Sequence, residues 1–331
     1  MGETIHNMDN YIKKCMFVFM FMFAFAILIT SGNVSKAKGA MAPALKVKGT
    51  GIVNSRGKNV TLKGISTHGI AWFPQYVNKS CFKSFKKMGA NTVRLAFYSD
   101  PGSGYRVSDY GIVEKGVDAA TELGMYVIVD WHILSDGNPD THSAEAVKFF
   151  EHFASKYRNN TNIIFEICNE PNGAVTWKDD IKPYAKKMIP VIRKYNKKAI
   201  IIVGTPTWSQ DVDVVSNDPI EEYKNIMYAF HFYAATHKGW LRDKLDTAVK
   251  RGLPVIVSEF SICDASGNGS IDYKEGARWM RYLKKHKIGR IAWSVCNKNE
   301  SASLIRSECN LTGGFKKNNL SDTGKWIVNN W

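Results

Sequence analysis

The sequence predicts an α/β fold, a (β/α)8 TIM barrel, in a single domain. A run of β-branched and apolar residues followed by a helix-like segment occurs eight times within the 331 residues. Several of these runs are apolar without alternation, as expected for strands that are covered on both faces. The alternative is an open, doubly wound sheet, but no Gly-x-Gly-x-x-Gly motif follows the first strand. The eight strand–helix units therefore favour the closed barrel.

Each of the eight units begins with a recognisable strand. The intervening segments, such as EKGVDAATELG and SAEAVKFFEHFASKY, carry apolar residues at three- and four-residue spacing, which predicts amphipathic helices. A short linker over roughly residues 36–47 precedes the first unit. In chain order the predicted strands are VTLKGI from residue 60, NTVRLAF from 91, MYVIVDWH from 125, NIIFEICNE from 162, AIIIVG from 199, NIMYAFHFY from 225, LPVIVSEF from 253 and GRIAWSV from 289.

Residues 1–42 are predicted to be a secretory signal peptide, and residues 43–331 the folded catalytic domain. Two lysines precede the apolar run Met16–Ile29, whose 14 residues are fewer than the ~20 that a membrane-spanning helix needs. Ala40 and Ala42 form the A-x-A pattern typical of a cleavage site. A cleavage site at residues 37–39 and an uncleaved membrane anchor are the alternatives. We therefore expect a secreted, extracellular protein without stable membrane association after cleavage.

The formal net charge of +15 raises the possibility of a nucleic-acid partner. However, the lysines are scattered over many predicted helices and no nucleic-acid-binding motif accompanies them. We therefore interpret the charge as a solvated surface and expect no nucleic-acid partner.

The cysteines indicate neither a disulfide framework nor a metal site. Cys15 lies in the predicted signal peptide, which leaves an odd number, and no Cys-x-x-Cys pair is present. One disulfide bridge remains an alternative, but buried free thiols are the main expectation for Cys81, Cys168, Cys263, Cys296 and Cys309.

Polar and aromatic residues collect at the C-terminal ends of the predicted strands. In a (β/α)8 barrel these ends share one face, and the active site forms there. The sequence therefore predicts one cluster that contains His68, Trp72, Arg94, Tyr98, Asp130, Trp131, His132, Asn169, Glu170, Trp208, His231, Tyr233, Glu259 and Trp293.

Two glutamates in this cluster, Glu170 and Glu259, lie at the ends of the fourth and seventh predicted strands. Glycoside hydrolysis needs one carboxylic acid to protonate the leaving oxygen and one carboxylate to attack the sugar or activate water. Either glutamate alone could be a surface charge or a helix N-terminal carboxylate. Their shared position at the ends of buried strands favours the catalytic interpretation.

Several segments resemble glycoside hydrolase family 5, and most of all its bacterial endo-β-1,4-glucanase branch. IIFEICNEPNG is similar to the acid/base segment of that family, and PVIVSEFSICDASGNG to its nucleophile strand. The resemblance covers about residues 45–305 and includes KGISTHGIAWF, VRLAFYSD, VIVDWHILSDGNP, GTPTWSQDVD, AFHFYAATH and IAWSVCNKNESASLI. It implies a retaining endo-β-1,4-glucanase that hydrolyses cellulose-type glucan by double displacement, as a monomer.

The resemblance also implies roles for individual residues. Glu170 would be the acid/base and Glu259 the nucleophile. Arg94 and Tyr233 would hold Glu259 ionised and oriented, and His231 would set the environment of Glu170. The expected substrate-binding residues are His68, Trp72, Phe73, Tyr98, His132, Asn169, Trp208, Tyr233, Ala265, Ser266, Trp293, Lys298 and Glu300, with the three tryptophans as stacking surfaces. Asp130 is expected to be a buried hydrogen-bonding residue, and Trp131 either structural or a substrate contact.

Two departures from the family pattern leave the preferred glucan open. Ser261 follows Phe260 where relatives commonly carry glycine, and Cys296 with Asn297 replaces a more usual Ser-Asp. Mannanase, lichenase or xyloglucanase activity is therefore the alternative within the family. A carbohydrate-binding protein on an inactive barrel is a further alternative, although both glutamates are retained. We expect no cofactor and no metal, since the histidines lack the other ligands of a zinc site.

Overall fold

The computed structural model describes residues 41–331, in which eight parallel strands form a closed barrel. This confirms the (β/α)8 fold predicted from the sequence. The segment that contains most of the predicted signal peptide, residues 1–40 with Cys15, lies outside the described residues. In the order in which they neighbour one another, the barrel strands are β10 (Arg290–Val295), β3 (Lys63–Thr67), β4 (Thr92–Tyr98), β5 (Tyr126–His132), β6 (Ile163–Glu166), β7 (Ile200–Val203), β8 (Ile226–Tyr233) and β9 (Val255–Ser261), which pairs with β10.

A helix follows each barrel strand and packs its apolar side against the outside of the barrel. Single turns of other helix types lie in the loops at Pro74–Tyr76, Pro101–Ser103, Val107–Asp109, Trp177–Ile181 and Lys317–Asn319. The helices are α1 (Lys79–Lys87), α2 (Tyr110–Glu122), α3 (Ser143–Lys156), α4 (Lys182–Tyr195), α5 (Val212–Val215), α6 (Gly239–Lys250), α7 (Tyr273–Lys285) and α8 (Asp322–Asn330).

A β-hairpin closes the N-terminal end of the barrel. Its antiparallel strands are β1 (Leu45–Lys48), which overlaps the end of the predicted linker at residues 36–47, and β2 (Gly51–Asn54), which follows that linker. Leu45 and Ile52 are buried in the same apolar cluster as residues from the inside of the barrel. The hairpin thus fills the end of the barrel opposite the predicted site. Its strands of four residues each are too short for the sequence pattern to predict them.

Alternation along β5 separates the barrel interior from the layer between strands and helices. Ile128 belongs to the apolar cluster inside the barrel, and Asp130 and His132 follow it on the same face. Trp131 points the other way and packs against Phe97, with ring centroids 6.0 Å apart. Trp131 is therefore structural, and Asp130 is the buried hydrogen-bonding residue that the sequence suggested.

The cysteines of the described chain are free and buried, as predicted for Cys81, Cys168, Cys263, Cys296 and Cys309. Within residues 41–331, no helix is long and apolar enough to cross a membrane.

Candidate active site

A cleft of about 690 Å³ lies at the C-terminal ends of the barrel strands and collects most of the predicted site residues. The lining also includes residues that the sequence did not single out, namely Ser103, Leu134, Ser135, Thr207, Gln210, His237 and Gly267. The predicted residues that line the cleft are His68, Trp72, Tyr98, His132, Glu170, Trp208, His231, Tyr233, Glu259, Ala265, Ser266, Trp293, Lys298 and Glu300.

Besides Asp130 and Trp131, which are buried in the barrel wall, three residues with a predicted catalytic, supporting or substrate-binding role are not part of this lining. Arg94 and Asn169 are fully buried, and the amide of Asn169 accepts a 2.6 Å hydrogen bond from Arg94 and donates one of 2.9 Å to the carbonyl of Ile133. Phe73, expected to contact substrate, is half-buried, and its ring centroid lies 4.9 Å from that of His68, a residue of the cleft wall. Arg94 and Phe73 thus contact residues of the cleft lining, Glu259 and His68 respectively, and Asn169 is bonded to Arg94.

Glu170 and Glu259 face each other across the cleft. Both carboxyl groups are largely buried, and an oxygen of each lies within 4.8 Å of the other. Glu259 belongs to β9, whereas Glu170 lies four residues beyond the end of β6 at Glu166. The predicted fourth strand is thus shorter than expected, but the segment after it still bonds to the neighbouring strands, since the backbone N–H of Ile167 donates to the carbonyl of Ile202 and that of Asn169 to the carbonyl of Trp131.

Glu259 accepts two hydrogen bonds that fix its orientation. Nη1 of Arg94 donates to Oε2 at 3.1 Å, and the hydroxyl of Tyr233 donates to Oε1 at 2.8 Å. Burial and the charge of Glu259 raise the pKa of Tyr233, so the phenol keeps its proton and remains a donor. The predicted contacts of Arg94 and Tyr233 with Glu259 are therefore present.

Arg94 is the centre of a buried charge cluster. Its guanidinium lies 2.7 Å from Glu166, 3.0 Å from Asp130 and 3.1 Å from Glu259. Burial opposes the charge of Arg94, but the three carboxyl groups outweigh it and raise its pKa. Burial likewise opposes the charge of Glu166, yet Arg94 and His231 lower its pKa to about 2. One guanidinium thus binds carboxyl groups from three strands, β5, β6 and β9, in the interior of the barrel.

A chain of hydrogen bonds from Glu166 through Ser258 keeps a proton on Nε2 of His231. The ionised Glu166 only accepts, so Ser258 donates its hydroxyl proton to Glu166 at 2.6 Å. The same hydroxyl must then accept from Nε2 of His231, 2.9 Å away. Nδ1 of His231 lies 2.8 Å from Oε1 of Glu170. A single proton therefore lies between His231 and Glu170, on one side of the pair or the other.

The carboxyl groups around His231 stabilise its protonated form. Burial disfavours the charge, but the carboxylate of Glu166 at 3.8 Å, the hydrogen bond with Glu170 and the charge of Glu259 outweigh it and raise the pKa of His231 to about 9. Sequence reasoning missed Glu166 and Ser258. For Glu166 a signal was available. Glu166 ends the otherwise apolar run IIFE and lies two residues after Ile164, so on a strand both side chains point to the barrel interior.

One wall of the cleft is an aromatic group from β3, β4, β5 and β10. The ring centroids of Trp72 and Tyr98 are 4.8 Å apart, and those of His132 and Trp293 are 5.2 Å apart with nearly parallel planes. A Cβ atom at Gly69 would lie 2.8 Å from the rings of both Trp72 and Tyr98, so only glycine permits this packing. Trp72 is half exposed, whereas Trp293 is buried at the floor of the cleft.

The histidines of this wall are neutral hydrogen-bonding groups. Burial, with smaller effects from nearby cationic groups, lowers the pKa of His68 and of His132 to about 3. Nδ1 of His132 lies 2.7 Å from Asp130, which leaves Nε2 directed towards Asn169. Lys298 and Glu300 form an ion pair of 2.5 Å at the edge of the same wall.

The opposite wall carries Trp208 on a left-handed turn. Thr207, Trp208 and Ser209 have φ angles of 57°, 55° and 56°, a conformation that costs non-glycine residues energy and persists only where the surroundings enforce it. The backbone N–H of Trp208 donates to the carbonyl of Pro171 at 3.0 Å, and the Ser209 hydroxyl donates to the carbonyl of Asn169 at 2.6 Å. The turn is therefore fastened to the segment that carries Glu170.

Two groups of potential metal ligands exist among the described residues. They are His68, Cys296 and Glu300, and Glu170, His231 and Glu259, each with donor atoms within 4.8 Å of one another. In the first group the ammonium of Lys298 contacts Glu300, and in the second the guanidinium of Arg94 contacts Glu259. These fixed positive charges disfavour a further cation, so both groups are better suited to hydrogen bonding with a neutral ligand.

Comparisons with known proteins agree on one family. Residues 53–299 match the model described as cellulase, glycosyl hydrolase family 5. The chain is 41% identical to an endoglucanase of Clostridium saccharobutylicum, over 96% of this chain and 72% of that protein. It is 41% identical to endoglucanase A of Butyrivibrio fibrisolvens, over 86% of this chain and 67% of that protein. The catalytic domain of a Thermobifida fusca endoglucanase, solved in complex with cellotetraose, superimposes with a TM-score of 0.81 at 34% identity, covering 86% of this chain and 96% of that one.

Proposed function

The chain belongs to the cellulase family, glycosyl hydrolase family 5, and on this premise we propose that it is a secreted endo-β-1,4-glucanase that retains the anomeric configuration. Family membership makes it a glycoside hydrolase, as the sequence motifs predicted. The observation that carries the proposal is the pair of carboxyl groups of Glu170 and Glu259, with oxygens within 4.8 Å. Retaining glycosidases place their carboxyl groups about 5–5.5 Å apart, whereas inverting enzymes need more room for a water molecule.

In the proposed mechanism Glu259 attacks the anomeric carbon while Glu170 donates its proton to the departing glycosidic oxygen. A covalent glycosyl ester on Glu259 results. Glu170, now ionised, then removes a proton from water, and the water oxygen displaces Glu259. Arg94 and Tyr233 direct their hydrogen bonds at Glu259 throughout, and His231 holds Glu170 in reach of the glycosidic oxygen. Each step uses groups already in contact, which limits the reorganisation needed.

The arrangement of aromatic residues supports cleavage within a chain rather than at its end. Trp72 follows β3 and Trp208 follows β7, which are opposite one another in the ring of eight strands. The two carboxyl groups lie between them. Indole rings stack on the apolar faces of pyranose rings, so Trp72 and Trp208 would hold sugar units on both sides of the bond that is cut.

The preference for cellulose-type glucan rests on the relatives, which are named endoglucanases, and on the cellotetraose bound to the Thermobifida fusca enzyme. The departures from the family pattern lie behind the cleft surface. Ser261 is buried beside Cys263, and Cys296 is buried with its sulfur 3.1 Å from the Ser303 hydroxyl. Asn297 is half-buried and donates to the backbone carbonyl of Cys309 at 3.3 Å. None of the three residues lines the cleft, so we do not expect them to change the backbone glycan that is recognised.

Reducing-sugar release from carboxymethylcellulose, mixed-linkage β-glucan and β-mannan tests the substrate assignment. We expect both β-glucans to be hydrolysed and mannan to be hydrolysed more slowly. Faster release from mannan contradicts the assignment, and no release from any of them favours a carbohydrate-binding role. Proton NMR of the first products tests the stereochemistry, since retention yields the β-anomer before mutarotation.

For export, the contacts of Ala42 favour the upstream cleavage site. Ala42 is buried, and its carbonyl accepts a 2.7 Å hydrogen bond from the Thr161 hydroxyl. Cleavage after Ala42 would remove that contact, whereas cleavage at residues 37–39 keeps it. N-terminal sequencing of the exported protein distinguishes the two sites, and gel filtration of the same sample tests whether it is a monomer.

A further inference from the structure

Trp240, the second residue of α6, is 51% exposed, more than either Trp72 or Trp208. A single exposed apolar residue is ordinary on a protein surface and needs no explanation. Trp240 differs because its contacts connect it to the lining of the cleft from two directions.

The first connection is through His237. The ring of His237 lines the cleft, and its centroid is 5.8 Å from that of Trp240 at an angle of 78°. His237 is held firmly, since its Nδ1 accepts a 2.8 Å hydrogen bond from the backbone of Tyr233 and its carbonyl accepts one of 2.8 Å from the indole of Trp279. Trp240 therefore packs next to His237, a residue of the cleft wall whose position is fixed by hydrogen bonds.

The second connection is through Lys244, one helical turn after Trp240. Its ammonium is 5.9 Å from the centre of the Trp240 ring and forms an ion pair of 2.5 Å with Asp211. Asp211 also accepts a 2.6 Å hydrogen bond from the hydroxyl of Thr207. Thr207 lines the cleft and directly precedes Trp208. Trp240 thus lies alongside the turn that presents Trp208.

The order of the strands shows on which side of the barrel Trp240 lies. Trp72 follows β3, the carboxyl groups of Glu170 and Glu259 belong to the middle of the cleft, and Trp208 follows β7 on the opposite side. Trp240 follows β8, the next strand in the ring. It therefore lies on the same side of the barrel as Trp208 but, unlike Trp208, is not among the described residues that line the cleft.

We propose that Trp240 is an outer sugar-binding platform, on which a β-1,4-linked glucan chain stacks after it has passed Trp208. The inference rests on the proposed function, because it takes the same chain of sugars as the substrate. The exposed indole supplies a flat apolar face for a pyranose ring. Lys244 and His237 flank it with groups that hydrogen-bond sugar hydroxyls. The platform serves long chains and leaves the chemistry at Glu170 and Glu259 unchanged.

The test compares kcat/KM on carboxymethylcellulose with kcat/KM on an aryl cellobioside, which places only two glucose units and the aryl group at the carboxyl groups. In Trp240→Ala the ratio of polymer to short substrate should fall about tenfold, through KM rather than kcat. Trp240→Tyr should restore most of it. Tyr273→Ala is the matched control, because Tyr273 is 46% exposed at the start of the next helix and is not among the described residues that line the cleft.

An unchanged ratio in Trp240→Ala, or equal losses on both substrates, would overturn the platform. A comparable fall in Tyr273→Ala would also overturn it, since any exposed aromatic side chain would then suffice. The parent enzyme is measured first. If it hydrolyses neither substrate, the proposed function fails and the platform with it, whereas normal parent activity with an unchanged ratio refutes the platform alone.

Discussion

Nδ1 of His231 lies 2.8 Å from Oε1 of Glu170, and the hydrogen bonds of Ser258 leave one proton for this pair. The pair can act as the acid only while that proton is present. Because the surrounding carboxyl groups raise the pKa of His231 to about 9, the pair keeps its proton at neutral pH and loses it in the alkaline range. The alkaline limit of activity should therefore report on the pair and on the groups behind it.

Glu166→Gln should move the alkaline limb of the kcat/KM profile to lower pH by about one unit. Glu166 is an acceptor whose charge favours protonated His231, so its removal lowers the pKa of His231. Ser258→Ala breaks the same chain without removing a partner of Arg94, and should move the limb in the same direction.

The control for both variants is Ser84→Ala, which removes a buried hydroxyl bonded to the backbone of Ser80 and Phe315, in α1 and outside the active site. It can lower stability but should leave the pH profile unchanged. If the alkaline limbs of the parent, Glu166→Gln, Ser258→Ala and Ser84→Ala proteins coincide, the hydrogen-bond chain from Glu166 to His231 does not control the pH dependence.

Glu170→Ala and Glu259→Ala should each lower activity by several orders of magnitude. Azide should then distinguish their roles with an activated aryl cellobioside. In Glu170→Ala the glycosyl ester on Glu259 still forms, and azide displaces it to give the β-azide. In Glu259→Ala azide occupies the vacated space and gives the α-azide. Proton NMR of the products identifies the anomer, and the reverse pairing would mean that the two roles are exchanged.

Arg94→Met should lower the free energy of unfolding by about 3–5 kcal/mol at pH 7, because buried carboxyl groups lose their only close guanidinium. With Arg94 present, burial already raises the pKa of Asp130 well above its usual value, whereas that of Glu166 is lowered to about 2. Without Arg94 the pKa of Asp130 rises further, and burial raises that of Glu166 above its unfolded value. Stability is then present at low pH and lost as the pH rises through the folded pKa, so the penalty should shrink at pH 4.5.

Urea unfolding at the two pH values measures this penalty. Arg193→Met is the matched control, since the Arg193 guanidinium donates to the backbone carbonyls of Ala199 and Lys224. Burial lowers the pKa of Arg193 only to about 10, so it is charged at both pH values and its penalty should not change. An equal penalty for Arg94→Met at both pH values would contradict the charge cluster.

The thiols should be unreactive in the folded protein. Burial raises the pKa values of Cys81 and Cys168 and raises that of Cys263 to about 11, which keeps them as thiols at neutral pH. Ellman's reagent should find almost no fast-reacting thiol in native protein without residues 1–40. Without reductant, denaturation should release the five free thiols seen in the structure. A count of three would indicate a disulfide bridge.

Much of the architecture followed from local pattern. The apolar runs and helix-like segments located all eight barrel strands to within a few residues, since strands covered on both faces have a strong sequence signature. The hairpin of β1 and β2 was missed because two four-residue strands carry too little periodicity. The sequence predicted that the fourth strand continues past Glu166 because Ile167 and Cys168 prolong the apolar run, although the regular strand ends at Glu166.

For the site, the sequence by itself determined which residues stand at the strand ends and which family motifs they form, because both are matters of order along the chain. Only the tertiary structure decided which of them touch. It joined Glu166, Ser258 and His231 from three strands into one chain of hydrogen bonds, packed Phe73 against His68, and turned Trp131 outward. These outcomes depend on barrel closure and on which face each side chain takes, and neither is encoded in spacing alone.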